Sequence, residues 1–302
     1  MRRSGLLTIL VALTVAIVAP LGAAAAPIAP SPLVKTYRFA YRTHDGRMSY
    51  ALLLLPAWYG PARHPAIPLV ISPHGRNTTP TSAASRWYDL PATGGFAVVV
   101  PAGQGRRLQL YSWGYPGQID DLARMPALTE HAVPFFHYES GHVYAIGASM
   151  GAQEVLLLVA EHPRLLAGAI AFDPAVDLAN RYYEFAHLRG GDKLQAIARL
   201  EVGGTPRQVP DAYRLRSPTS YVRQIALSGV PLELWWSTAD QVIVNQATQA
   251  GGFYERLMHA QPNAPIVSYI GTWRHAVEDT AFGKLPTALT RLNLLPASQV
   301  SA

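Results

Sequence analysis

The chain has no cysteine among its 302 residues. That excludes disulfides, a thiol nucleophile and a lipid anchor on cysteine, so stability must come from core packing. Charge is scarce as well: Asp, Glu, Lys and Arg together make up 15%, against 49% hydrophobic residues. With a mean hydropathy of +0.10, such a composition excludes a disordered or highly charged chain and implies a compact core. The basic residues are mostly arginine and are scattered, not gathered into runs, which argues against a nucleic-acid partner. Long apolar runs are missing except near the start, where Leu6 to Val18 falls short of the roughly 20 residues that span a bilayer. Arg2 and Arg3 precede this run and the small residues Gly22 to Ala26 follow it, the pattern of a secretory signal over residues 1–26. Cleavage near Ala25 or Ala26 would lower the formal charge of +6 by two and leave a secreted protein with no stable membrane anchor.

No internal repeat or low-complexity segment is visible beyond the leader. After a Pro-rich spacer at 27–35, the segments Thr36 to Thr43 and Tyr50 to Pro56 read as strands around the turn signal Asp45-Gly46. Six short apolar runs follow: Ile67 to Ser72, Phe96 to Pro101, Val143 to Gly147, Ala167 to Phe172, Leu232 to Trp236 and Pro265 to Ile270. Between them lie stretches with helical spacing at Gln118 to Glu130, Met150 to Glu161, Asn245 to His259 and Thr280 to Leu292. This alternation predicts an α/β fold with a mostly parallel sheet and helices on both faces, forming one catalytic domain over 36–295. The stretch 177–228 is longer than a crossover requires and predicts a cap insert after the sixth strand.

One motif carries chemistry. Gly147-Ala148-Ser149-Met150-Gly151 sits between the strand ending at Gly147 and the helix starting at Met150. That is the setting of a Gly-x-Ser-x-Gly turn, which exposes its serine at the carboxyl end of a sheet. A serine hydroxyl needs a base to take its proton and a carboxylate to orient that base. Asp240 follows the strand Leu232 to Trp236 and His275 follows the strand Pro265 to Ile270, so both fall on the same rim as Ser149. Asp173, just past the strand after the nucleophile helix, competes with Asp240 for the acid role. His259 falls inside a predicted helix, and Glu278 and Asp279 read as first-turn acids of the next one.

A developing oxyanion needs backbone donors, and the Met150 amide supplies the first. The segment Pro73-His74-Gly75-Arg76 after its strand offers the second, at Gly75 or Arg76, with His74 buttressing the loop. His74 lacks neighbours at ligand spacing, so no metal is expected. His74, Trp113, Tyr115, Trp236 and Trp273 are candidates to line a substrate pocket, whereas Trp235 alternates with Trp236 and reads as core.

These segments resemble the α/β-hydrolase superfamily, and within it the polyhydroxybutyrate depolymerase and feruloyl esterase branch. The resemblance rests on Asp45 to Pro56, Pro68-Leu69-Val70-Ile71 leading to His74-Gly75, Gly95 to Pro101, and the serine turn with Pro163 to Gly168 after it. Arg216-Ser217-Pro218, Val230-Pro231-Leu232 and Asp240 are similar to the end of prolyl oligopeptidase-type domains. The matches cover most of Tyr37 to Leu292; they depart at Ser237, where relatives often have glycine. Membership would imply esterase or peptidase chemistry without a cofactor, on a small-molecule or polymeric ester. Peptidase, acyltransferase and non-catalytic binding module stand as alternatives to a secreted esterase.

Overall fold

The computed structural model describes residues 31–275 and 284–297. The expected signal segment, Glu278, Asp279 and the opening of the helix expected from Thr280 lie outside the described residues.

Among the described residues eight strands form one sheet: β1 (Val34–Arg42), β2 (Met48–Pro56), β3 (Ile67–Ile71), β4 (Ala97–Pro101), β5 (Tyr138–Ala148), β6 (Gly168–Phe172), β7 (Leu232–Ser237) and β8 (Ile266–Gly271). Their order is β1-β2-β4-β3-β5-β6-β7-β8. β2 runs antiparallel to both β1 and β4, and every other pair is parallel. A purely parallel core needs helical crossovers, and burial on both faces explains why β4 is apolar throughout.

Two boundaries differ from the sequence reading. β1 pairs Val34 with Pro56 and Lys35 with Leu55, so the last two residues of the supposed spacer belong to the sheet. β5 begins at Tyr138, five residues before the apolar run, because its first half is polar and exposed. Hydrophobic patterning reports burial, and an exposed strand end leaves no such trace.

The helices are α1 (Pro80–Ala84), α2 (Leu90–Gly94), α3 (Pro116–Ala132), α4 (Met150–Glu161), α5 (Leu178–Phe185), α6 (Gly191–Val202), α7 (Pro210–Arg214), α8 (Val222–Ala226), α9 (Gly252–Ala260) and α10 (Leu285–Arg291). Residues of α3, α4, α8 and α9 pack on one face of the sheet with Leu53, Ile71 and Leu234. Residues of α1 and α10, together with Trp87, pack on the other with Val98, Ile146 and Phe172. The helix expected over Asn245 to His259 starts as a wider π turn at Ala247–Gly251 before α9, where Gly251 and Gly252 adjoin.

A third, smaller cluster joins Leu178, Tyr182, Phe185, Ala198, Val202 and Tyr213 of α5 to α7 with Trp113 and Met150. It sits at the end of the sheet where Ser149 lies. The insert over this end is therefore α5 to α7. α8, which the sequence reading placed in the same insert, packs instead against α4 and α9 in the helical layer of the sheet.

Candidate active site

Ser149 stands where β5 turns into α4, with φ +57° and ψ −120°. Positive φ is strained for a residue with a Cβ and persists only where the surroundings enforce it. Here they do. The Ser149 amide donates to the Phe172 carbonyl of β6 (2.8 Å) and its carbonyl accepts from the Gln153 amide (3.1 Å). The flanking glycines are dictated by sterics: a Cβ on Gly147 would lie 2.5 Å from the Gly151 carbonyl oxygen, and one on Gly151 would lie 2.4 Å from the Pro73 carbonyl oxygen.

Asp240 and His275 come together from the loops after β7 and β8. The His275 Nδ1–H donates to Asp240 Oδ2 at 2.7 Å, and both residues are buried. Since a carboxylate only accepts, this bond fixes Nε2 as the proton-accepting nitrogen of a neutral ring. The remaining Asp240 acceptors are filled by the amides of Val242 (2.7 Å) and Ile243 (2.9 Å) on Oδ1 and by Gln246 Nε2 (3.3 Å) on Oδ2. The Ser149 hydroxyl makes no hydrogen bond to His275 in this structure, a contact that often tightens only when substrate is bound.

Asp173 is the residue that the sequence offered as the competing acid. It is fully buried beside this pair, with φ +44°. Its Oδ1 accepts from the Ser237 amide (3.0 Å) and its Oδ2 from the Trp273 indole (2.7 Å). Burial pushes its pKa up to about 6; the His275 charge opposes the shift and the Asp240 charge adds to it. Asp173, Asp240 and His275 offer one nitrogen and two oxygens within 4.8 Å of one another. That spacing suits a cation, but the hydrogen bonds just described already occupy both carboxylates.

No protein-family model and no curated protein matches the chain by sequence. Solved structures do match by shape. An esterase from Rhizomucor miehei aligns over 90% of this chain and 86% of its own, at TM-score 0.67 and 12% identity. Dipeptidyl peptidase 4 of Porphyromonas gingivalis aligns over 85% of this chain at TM-score 0.63 and 17% identity, and prolyl oligopeptidase B from Galerina marginata over 87% at 0.63 and 17%. The chain spans only 35% and 37% of the length of those two peptidases. This is an α/β-hydrolase fold.

At the carboxyl end of the α/β-hydrolase sheet, the N–H groups of Gly75 and Arg76 donate to no described residue, whereas the next amide, Asn77, is used by the Leu110 carbonyl at 2.9 Å. The Met150 amide opens α4, where the first N–H groups have no partner inside the helix. His74 is buried behind this loop: its Nδ1–H donates to the Gly75 carbonyl and its Nε2 accepts from the Gly103 amide, each at 2.8 Å. Burial holds its pKa below the ordinary imidazole value, so it is a neutral strut. Glycine at 75 is not forced by crowding, since a Cβ there would meet nothing nearer than 3.6 Å.

A recess opens at Ser149, walled by Trp113, Met150, Phe185 and Ile243 with Arg76 and Arg181. Of the aromatic candidates only Trp113 lines it. Tyr115 packs edge-on against His44 and beneath the Arg216 guanidinium. The Trp236 indole donates to Ser268 Oγ (2.9 Å) and touches the π turn at Gly251, on the helical side of the sheet. Trp273 serves Asp173, and His74 is spent on backbone. Trp235 is core as expected, stacked on Tyr269 at 4.3 Å. The sequence reading missed Phe185 and Arg181, whose helix carries no motif, and it weighed Arg76 only for its backbone.

Proposed function

We propose that this protein is a secreted serine hydrolase that cleaves carboxylic esters through an acyl-enzyme. Ser149 attacks the carbonyl, His275 Nε2 takes its proton and returns it to the leaving alcohol, and Asp240 keeps the ring in that tautomer and stabilises the imidazolium. The amides of Met150 and of Gly75 or Arg76 bind the oxyanion, and water then releases the acid. The observation that carries this reading is the 2.7 Å His275–Asp240 bond on the rim where the strained Ser149 turn stands.

One comparison favours an ester over a peptide. The Rhizomucor miehei esterase matches this chain nearly end to end, while the peptidases share only about a third of their length with it. Peptidase action of the prolyl oligopeptidase kind is the second reading, favoured by the same shape similarity.

The test is a panel of acyl esters and amides given to wild type and to Ser149→Ala, with fluorophosphonate labelling in parallel. Wild type should hydrolyse esters faster than amides and take the label at Ser149. The alanine variant should lose roughly 10⁴- to 10⁶-fold in kcat. Retention of more than a tenth of the activity by Ser149→Ala would end the proposal.

A further inference from the structure

Two arginines line the otherwise apolar recess beside Ser149, and they are not equivalent. Arg181 is tied down on all sides. Its Nη1 donates to Glu184 Oε2 at 2.8 Å, its Nη2 donates to the Val242 carbonyl, and the guanidinium lies 4.7 Å from the Phe185 ring centre. Glu184 is itself held by the Gln249 amide. This arginine is a structural cation, neutralised by its own carboxylate.

Arg76 has nothing comparable. Its guanidinium makes no hydrogen bond or ion pair with another described residue, and the charge that acts on it is that of a second cation, Arg181. Arg76 is half-buried, and that partial desolvation together with the Arg181 charge holds its pKa below the ordinary guanidinium value. An arginine nevertheless stays protonated in proteins, so the recess wall presents the Arg76 cation with no carboxylate bound to it. Removing a cation from water without a counter-ion is unfavourable, and a planar fork of five donors is the group best shaped to take a carboxylate bidentately. The carboxylates nearby are committed: Glu184 to Arg181, Asp240 to His275 and Asp173 to Trp273.

Resting on the hydrolase reading above, we propose that Arg76 is a specificity-determining residue and that the preferred substrate carries an anionic group, a carboxylate, beside the scissile ester. Apolar walls at Trp113, Met150, Phe185 and Ile243 would hold the carbon chain between the ester and that anion. The role belongs to the side chain; the oxyanion donor proposed for the same residue is its backbone amide.

The test measures kcat and KM for three classes of ester on the full chain. Neutral 4-nitrophenyl butyrate is compared with 4-nitrophenyl hemisuccinate and hemiadipate, which carry the anion on the acyl side. It is also compared with 4-carboxyphenyl butyrate, which carries the anion on the leaving side. Wild type should favour one anionic class over the neutral ester. In Arg76→Gln the ratio of anionic to neutral kcat/KM should fall about 10- to 100-fold, chiefly through KM, as expected for a lost hydrogen bond to a charged group. Arg76→Lys should restore part of that ratio, and salt should weaken the wild-type preference more than that of Arg76→Gln.

The ratio cancels any general loss from misfolding or from the backbone donor. The class that wins says on which side of the ester the anion sits. If wild type cleaves butyrate without favouring either anionic class, or if the preference survives in Arg76→Gln, the Arg76 proposal is overturned while the hydrolase reading stands. Wild type that cleaves no ester overturns the hydrolase reading and this proposal with it.

Discussion

The loops after β6 and β7 each carry an aspartate beside the same imidazole, and their environments differ. Asp240 has its oxygens filled by two backbone amides, a glutamine amide and the His275 Nδ1–H. Asp173 has one amide and one indole, sits fully buried, and is pushed up to about 6. One carboxylate is surrounded by donors that stabilise its charge; the other is placed where burial penalises it. The comparison teaches that proximity to histidine does not assign the catalytic acid. In the proposed triad the role goes to the carboxylate that touches Nδ1.

The largest expected effect comes from breaking the Asp240 side. Asp240→Asn removes the acceptor that selects the tautomer and should lower kcat on the order of 10⁴-fold with the fold intact by circular dichroism. Asp173→Asn should cost far less, about tenfold at most, since its side chain reaches His275 only through the field and through Trp273. If Asp173→Asn proved the more damaging of two folded variants, the acid assignment would be reversed.

Next in size is a stability difference that sharpens the contrast. The Asp173 carboxyl rises from 3.8 to about 6 on folding, so the native state holds its proton more tightly than the unfolded chain. Its stabilising contribution is full below the unfolded value and is lost as pH rises through the folded one. At about 1.4 kcal/mol per pKa unit the whole contribution is about 3 kcal/mol, of which about 2 kcal/mol is lost between pH 4 and pH 7. Chemical denaturation across that range should show wild type losing stability relative to Asp173→Asn. Parallel curves for the two proteins would contradict the burial argument.

A smaller effect probes the donor that keeps Asp173 tolerable. Trp273→Phe keeps an aromatic ring, though a smaller one, and deletes the indole N–H, so a buried acceptor loses its partner at a cost of about 1–3 kcal/mol. A fall in denaturation midpoint without a change in slope would show it. In the double variant with Asp173→Asn, the two losses should not add, because both remove the same bond.

Much of the site was legible in the chain because it is local. The serine turn is read from five consecutive residues, and the glycines there are imposed by neighbours within the same turn and by Pro73. Asp240 and His275 stood out because each follows an apolar run by a few residues. The aromatic candidates fared worse: Trp236 and Trp273 lie near the rim in sequence, but the side-chain alternation of β7 and the pull of Asp173 turn them into the protein. Arg181 and Phe185 went unseen because nothing along the chain marks where α5 docks.

The sequence by itself determined the elements, their alternation and the strained serine, since periodicity, turn chemistry and short-range sterics act between residues close along the chain. Only the tertiary structure decided which aspartate meets His275, which aromatic residue faces the recess and that Arg76 stands there without a counter-ion. Those outcomes depend on contacts between loops as much as 100 residues apart, as Asp173 and Trp273 are, and no local pattern encodes the distance that closes when a parallel sheet brings its strand ends to one rim.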